Sequence, residues 1–135
     1  MRDFNQAIIE EFRANHGAVG GPFAGAPVVL LTTTGARTGQ KRVNPLVALV
    51  EDGTLYVFAS KAGAPTNPDW YHNLLAHPEV EVEFGGDRFE AVATPVTGAE
   101  RDRLFAAQVD KQPGFADYEK ATDRLIPVVE LRRQA

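Results

Sequence analysis

The spacing of hydrophobic positions changes along the chain, and each change marks an element. Between Asp3 and Ala14 the apolar residues Phe4, Ile8, Ile9 and Phe12 recur at helical spacing. That predicts a short amphipathic helix capped by Asp3. Over Pro27–Thr34 the pattern becomes a continuous run, Val28 to Leu31, followed by Thr32, Thr33 and Thr34, which predicts a strand. A second strand is predicted over Arg42–Val50, and Glu51, Asp52 and Gly53 turn it into a third over Thr54–Ser60. Asn67 before Pro68 predicts a helix start, with asparagine as cap and proline at the first helical position, and Pro78 ends that helix after Ala76. Glu79–Phe84 alternates strictly, with Val80, Val82 and Phe84 on one face, and Gly85-Gly86 returns the chain as a strand over Arg88–Val96. Thr97 with Glu100 has the spacing of a capping box for a helix reaching about Val109. A short helix over Phe115–Thr122 and a strand over Ile126–Leu131 complete the series, with Pro127 tolerated near a strand start.

The predicted order is α, β, β, β, α, β, β, α, α, β. Short turns between successive strands make them antiparallel. Six strands with closing helices fit a small barrel better than an open parallel sheet. The fold class expected is therefore α+β and mainly antiparallel, with residues 27–135 as the barrel domain. Residues 1–26 form an N-terminal helix and a glycine-rich connector, Gly17–Ala26, expected to be flexible. A chain of 135 residues fits one domain of common size.

Composition then narrows the function classes. With no cysteine, a disulfide framework, a thiolate metal site and a thiol nucleophile are excluded, in keeping with a reducing cytoplasm. A net charge of −4 argues against general nucleic-acid binding. No apolar run approaches the ~20 residues that span a bilayer, and the acidic residues within the N-terminal apolar pattern are unlike a secretory signal. The first helix packs on the domain or lies against a partner or membrane surface. Packing fits it better, because it is short and not basic.

The stretch Leu30–Pro45 concentrates the chemistry. Gly35 and Gly39 bracket a tight loop, and Arg37, Thr38, Lys41 and Arg42 supply two guanidinium forks, a hydroxyl and an ammonium. Such a loop receives a phosphate or carboxylate, or it is a solvated hairpin tip that carries charge. From Phe12 to Val50 there is no Asp or Glu, so Arg13, Arg37, Lys41 and Arg42 have no carboxylates local in sequence. A one-sign patch on an acidic protein favours a seated anion.

Other residue patterns are weaker. His16, His72 and His77 are the only histidines, and the last two are not spaced as metal ligands on one helix face. There is no Walker loop, G-x-G-x-x-G or G-x-S-x-G motif. Ser60, ending an apolar strand beside Lys61, reads first as a hydroxyl that satisfies a turn. Trp70 and Tyr71 fit the core, while Asn73 shares a helix face with Trp70 and suits a planar ligand or a loop amide equally well. Tyr118 serves as a proton donor, a stacking wall or an interface residue. No glycosidase-like carboxylate pair stands out.

Three segments together, TTTGARTGQKRVNP, ASKAGAPTNPDWYHNLLAHPEVEVE and FADYEKATDRLIPVVEL, resemble the deazaflavin-dependent nitroreductase family from about Pro27 to Leu131. The resemblance implies a six-stranded split β-barrel with flanking helices, related to the flavin-reductase and pyridoxamine-oxidase group. It implies coenzyme F420, an 8-hydroxy-5-deazaflavin with a phosphate and a polyglutamate tail. Arg37, Thr38, Lys41 and Arg42 would hold the phosphate and tail. Val43, Asn44 and Pro45, with Phe58, Ser60 and Lys61, would line the deazaflavin, and Trp70 and Asn73 would close its site. Phe115 and Tyr118 would wall the substrate pocket, where Phe115 lacks the hydroxyl of the family's common tyrosine. The implied reaction is hydride transfer to an electron-poor small molecule, a quinone, nitroaromatic or enone. Lys61 and the backbone near Ser60 would stabilise the developing anion, and the proton would come from Tyr118, Ser60 or water. The alternatives are an FMN-dependent reductase on the same barrel and a non-catalytic protein that binds the cofactor or an apolar ligand. A cytoplasmic location is expected, and homodimerisation and peripheral membrane association stay open.

Overall fold

The computed structural model describes residues 4–20 and 26–134. The helix α1 (Phe4–Ala14) is followed by strands β1 (Val28–Thr34), β2 (Lys41–Glu51) and β3 (Thr54–Phe58). A 3-10 turn (Lys61–Gly63) leads to α2 (Asp69–Ala76), then β4 (Glu79–Phe84), β5 (Asp87–Val96), α3 (Gly98–Lys111), α4 (Gly114–Ala121) and β6 (Val128–Arg133). The six strands close into one antiparallel barrel in the order β1-β2-β3-β6-β5-β4. The Asp3 cap, and much of the glycine-rich connector expected to be flexible, lie outside the described residues.

Strand alternation builds the interior. Val29 and Leu31 of β1, Leu55 and Val57 of β3, Val80 and Val82 of β4, Ala91 and Ala93 of β5, and Val129 and Leu131 of β6 form one core cluster. Trp70 and Leu74, four apart on α2, join it. The opposite faces are covered by helices. Val28 and Leu30 of β1 pack against Ile9 and Phe12 of α1, so this strand is buried on both sides and reads as a continuous apolar run. Tyr56, Phe58 and Val128 pack against Leu104 and Phe105 of α3. Ile9 and Phe12 of α1 are thus packed on the barrel.

Register also accounts for the prolines within strands. Pro45 pairs with Leu30, while β2 meets β3 only from Ala48 onward. Pro95 pairs with Val129, while β5 meets β4 only as far as Val92. Each proline sits where its strand has a single neighbour and its missing N–H costs no ladder bond.

Several boundaries differ from expectation, each for a physical reason. β3 ends at Phe58, and Ser60 already has helical backbone angles, leading the 3-10 turn. Pro68, not Asn67, is the cap of α2, because the Asn67 amide oxygen accepts from Arg124 Nη1 at 2.6 Å. Thr97 caps α3 without a side-chain bond. Glu100, expected to complete a capping box, instead accepts from Arg103 at 2.9 and 2.7 Å. The last strand begins at Val128 rather than Ile126.

Candidate functional site

The β1–β2 connection is built to be tight. Gly35 N–H donates to Gln40 O at 2.7 Å, and Gly39 N–H donates to Gly35 O at 2.9 Å. Thr38 Oγ1 accepts from Gln40 N at 3.2 Å, which leaves its hydroxyl proton free for a ligand. Gly39 adopts φ +73°. A Cβ on Gly35 would stand 2.7 Å from Thr38 Oγ1 and 3.2 Å from Gln40 O, so a side chain there would crowd the loop, while Gly39 supplies the left-handed φ.

Asn73 fastens this loop to α2. Its Oδ1 accepts from Ala36 N at 3.0 Å and its Nδ2 donates to Thr33 Oγ1 at 3.2 Å. The amide is buried, with both ends engaged by protein.

Beside the loop lies a cleft of about 710 Å³, walled by the Gly35–Thr38 turn, Arg42 to Asn44, Lys61, the start of α2 and two residues of α1, Gln6 and Ile9. Arg37, Thr38, Arg42, Val43, Asn44, Lys61, Trp70 and Asn73, all candidates from the sequence, meet here. Gly35, which brackets the loop, lines it too, and so do Gln6, Ile9, Ala36, Asp69 and His72, which the sequence did not assign to the site. The α1 residues carry no sequence signal for the site, because only the closed fold brings them to it. Asp69 and His72 had one, three apart on the helix face that carries Trp70's neighbours.

The cations of the acid-free stretch part ways. Arg13 forms a bidentate pair with Glu83 at 3.1 and 2.8 Å. Lys41 Nζ donates to Thr34 Oγ1 at 3.0 Å and lines a second cleft with Glu81 and Arg88. Lys41 does not line the first cleft. Arg37 and Arg42 are exposed and take no part in the ion pairs of the described residues. The cleft therefore combines the Arg37 and Arg42 guanidiniums with an apolar wall of Ile9, Val43 and Trp70.

Lys61 approaches from the 3-10 turn, with φ +47° and its ammonium donating to Thr66 Oγ1 at 3.2 Å. Ser60 contributes its carbonyl to the turn rather than its hydroxyl to the cleft. Pro45 is buried in the barrel wall opposite Leu30. Phe58 faces α3, with ring centroids 6.0 Å from Phe105 and 5.8 Å from Phe115. Phe115 and Tyr118 stack edge-on at 5.0 Å, in the same outer cluster. Pro45, Phe58, Ser60, Phe115 and Tyr118 thus do not line this cleft. Alternation along β3 explains Phe58, since Val57 takes the interior position. Among the described residues no group of His, Asp and Glu could hold a metal ion, and no helix is long and apolar enough to cross a membrane.

Such a cleft suits a ligand that carries both an apolar part and an anionic group. Residues 5–132 match the family described as F420H(2)-dependent quinone reductase. An F420H(2)-dependent quinone reductase of Mycobacterium tuberculosis (strain ATCC 25618 / H37Rv) is 40% identical over 128 residues, covering 91% of this chain and 85% of that protein. A solved F420-H2 dependent reductase, FDR-A, superposes with a TM-score of 0.72 at 41% identity, over 78% of this chain and 94% of the other. A structure described as a domain-swapped dimer superposes with a TM-score of 0.73 at 41% identity, over 78% of this chain and 80% of the other.

Proposed function

The chain belongs to the F420H(2)-dependent quinone reductase family, and from that premise we propose that it binds reduced coenzyme F420 in the cleft beside the Gly35–Gly39 loop and reduces a quinone-class acceptor. The observation that carries this is that Arg37 and Arg42, which take no part in the ion pairs of the described residues, line one cleft together with Val43 and Trp70. When bound, the reduced deazaflavin supplies the hydride.

The protein's part is seat, alignment and field. Arg37, Arg42 and the Thr38 hydroxyl are assigned the phosphate and acidic tail, through charge-assisted bonds. Val43, Asn44, Lys61 and Trp70 are assigned the ring. Lys61 is assigned the developing negative charge on the acceptor. Holding donor and acceptor in near-attack geometry is worth roughly 7–11 kcal/mol, so a rigid loop and a packed Trp70 matter as much as the charged groups. Asn73 works through the loop it ties down. Phe115 and Tyr118, on the helix that abuts the 3-10 turn, are assigned the acceptor's far wall. A homodimer belongs to the same reading, because one solved relative is described as a domain-swapped dimer; sedimentation of the purified chain at twice the monomer mass is the expected result.

The test is anaerobic mixing of protein, reduced F420 and a soluble naphthoquinone. Quinone-dependent return of oxidised F420 is expected, at a rate cut about ten- to a hundredfold at subsaturating cofactor by Arg42→Ala, the value of one charge-assisted bond. Cofactor binding without quinone-dependent reoxidation would make the chain a cofactor-binding protein instead. Undiminished turnover of Tyr118→Phe would remove that hydroxyl as proton source, and Ser60→Ala examines the other.

A further inference from the structure

We propose that Arg124 is a positioning residue of the cleft: its guanidinium clamps the Ala59–Asn67 segment and thereby holds Lys61 in the strained conformation that presents its ammonium to the ligand. The inference rests on the cofactor reading above.

The clamp is made almost wholly of carbonyls. Arg124 Nε donates to Ala64 O at 2.9 Å, Nη1 to Ala59 O at 2.9 Å and to Asn67 Oδ1 at 2.6 Å, and Nη2 to Ser60 O at 2.6 Å. No carboxylate neutralises it among the described residues, and burial pulls its pKa below the ordinary arginine value. Arg124 is half-buried, and these four bonds offset the cost of drawing its charge from water. They span the segment from the end of β3 to the start of α2, and Lys61 lies between them. A lysine with φ +47° occupies the left-handed region that disfavours any residue with a Cβ, and such a residue persists where its surroundings over-determine it. Two further bonds close the turn, Gly63 N–H to Ser60 O at 2.9 Å and Ala64 N–H to Lys61 O at 3.0 Å. Both Ser60 O and Ala64 O are also held by Arg124.

The clamp is itself anchored. Arg124 precedes β6, and the intervening Ile126 carbonyl accepts from the buried Arg101 of α3 at 3.1 and 2.9 Å. Ala59 N–H donates to Pro127 O at 2.9 Å. Arg124 therefore reaches the turn from the segment just before β6, which Arg101 and Ala59 tie to the barrel and α3. A lysine in its place has one nitrogen and cannot reproduce the fork.

The experiment is a double-mutant cycle with Arg124→Gln and Lys61→Gln, read as Kd for oxidised F420, beside amide hydrogen exchange of the ligand-free proteins. Arg124→Gln is expected to weaken binding about tenfold when Lys61 is present and less than about twofold in the Lys61→Gln background, since residues acting through one another are non-additive. Without ligand, exchange at Gly63 and Ala64 should accelerate while the strand amides stay protected. Equal losses in both backgrounds, or unchanged exchange at these two amides, would overturn the proposal. If Arg124→Gln does not fold, Arg124→Lys takes its place with the same expected outcomes. Should the wild-type chain bind no F420, the cofactor reading falls, and the exchange measurement alone decides whether Arg124 sets the turn.

Discussion

Arg42 and Arg13 lie in the same acid-free stretch of sequence and do different work. Arg13 finds Glu83, seventy residues away, at 2.8 Å, whereas Arg42 faces the cleft. The Arg42→Ala change should therefore weaken F420 binding about ten- to a hundredfold and flatten its salt dependence, while Arg13→Ala should leave Kd within about twofold and lower the melting temperature instead; titrations of both variants at low and high salt check this. Asn73 belongs to the same scale. Removing its amide leaves Ala36 N and Thr33 Oγ1 without partners, so Asn73→Ala should cost about 1–3 kcal/mol in denaturant unfolding and loosen the anion loop. Local chemistry made the loop readable in the sequence, because Gly35, Arg37, Thr38 and Arg42 act within a few residues of one another. Arg13, Asn67 and Glu100 were misread for the opposite reason. Each is claimed by another side chain, Glu83, Arg124 or Arg103, and two of those partners are distant in sequence.

Among the elements, α1 and the 3-10 turn shape the cleft most and were least legible. The helix was readable as an amphipathic segment that packs. That Gln6 and Ile9 would border the ligand depends on β1 lying between α1 and the barrel core, which no periodicity reports. The turn depends on a close approach: a Cβ on Gly63 would meet Ala121 Cβ at 2.7 Å and Tyr118 O at 2.9 Å, and its φ is +79°. Gly63→Ala should push α4 away from the turn, destabilise by roughly 1–3 kcal/mol and raise Kd for F420 through Lys61; denaturant unfolding and a cofactor titration read the two effects. The β2–β3 hairpin lies at the other extreme. Asp52 and Gly53 both take positive φ, 52° and 80°, as a two-residue hairpin turn requires, and the residues stated it outright.

For the molecule as a whole, alternation and short turns were enough to foresee an antiparallel six-stranded barrel, and the closed order of strands agrees. Which strand ends would face a ligand was not foreseeable, since Phe58 and Pro45 differ from Val43 and Asn44 only through register and closure. Closure also sets a pH response. Arg103 reaches from α3 to Glu51 at the end of β2 and to Glu100, and its hydrogen bonds hold both carboxyls below their ordinary value of 4.5. Groups with lowered folded-state pKa stabilise fully above their unfolded value and lose that contribution as pH falls through the folded one. Arg103→Gln should thus slightly lower the melting temperature near neutral pH, and the difference from wild type should shrink as pH falls below the ordinary carboxylate value and vanish once both carboxyls are protonated in the folded protein; thermal melts across pH check the sign.

The most direct measurement is an equilibrium titration of the purified chain with oxidised coenzyme F420 and, in parallel, with FMN, at two salt concentrations. Saturable F420 binding that is tighter than FMN binding, and that weakens with salt and with Arg37→Ala or Arg42→Ala, is the predicted result. Tighter binding of FMN, or F420 binding indifferent to salt and to both arginines, would contradict the assignment of this cleft as the deazaflavin's anion seat.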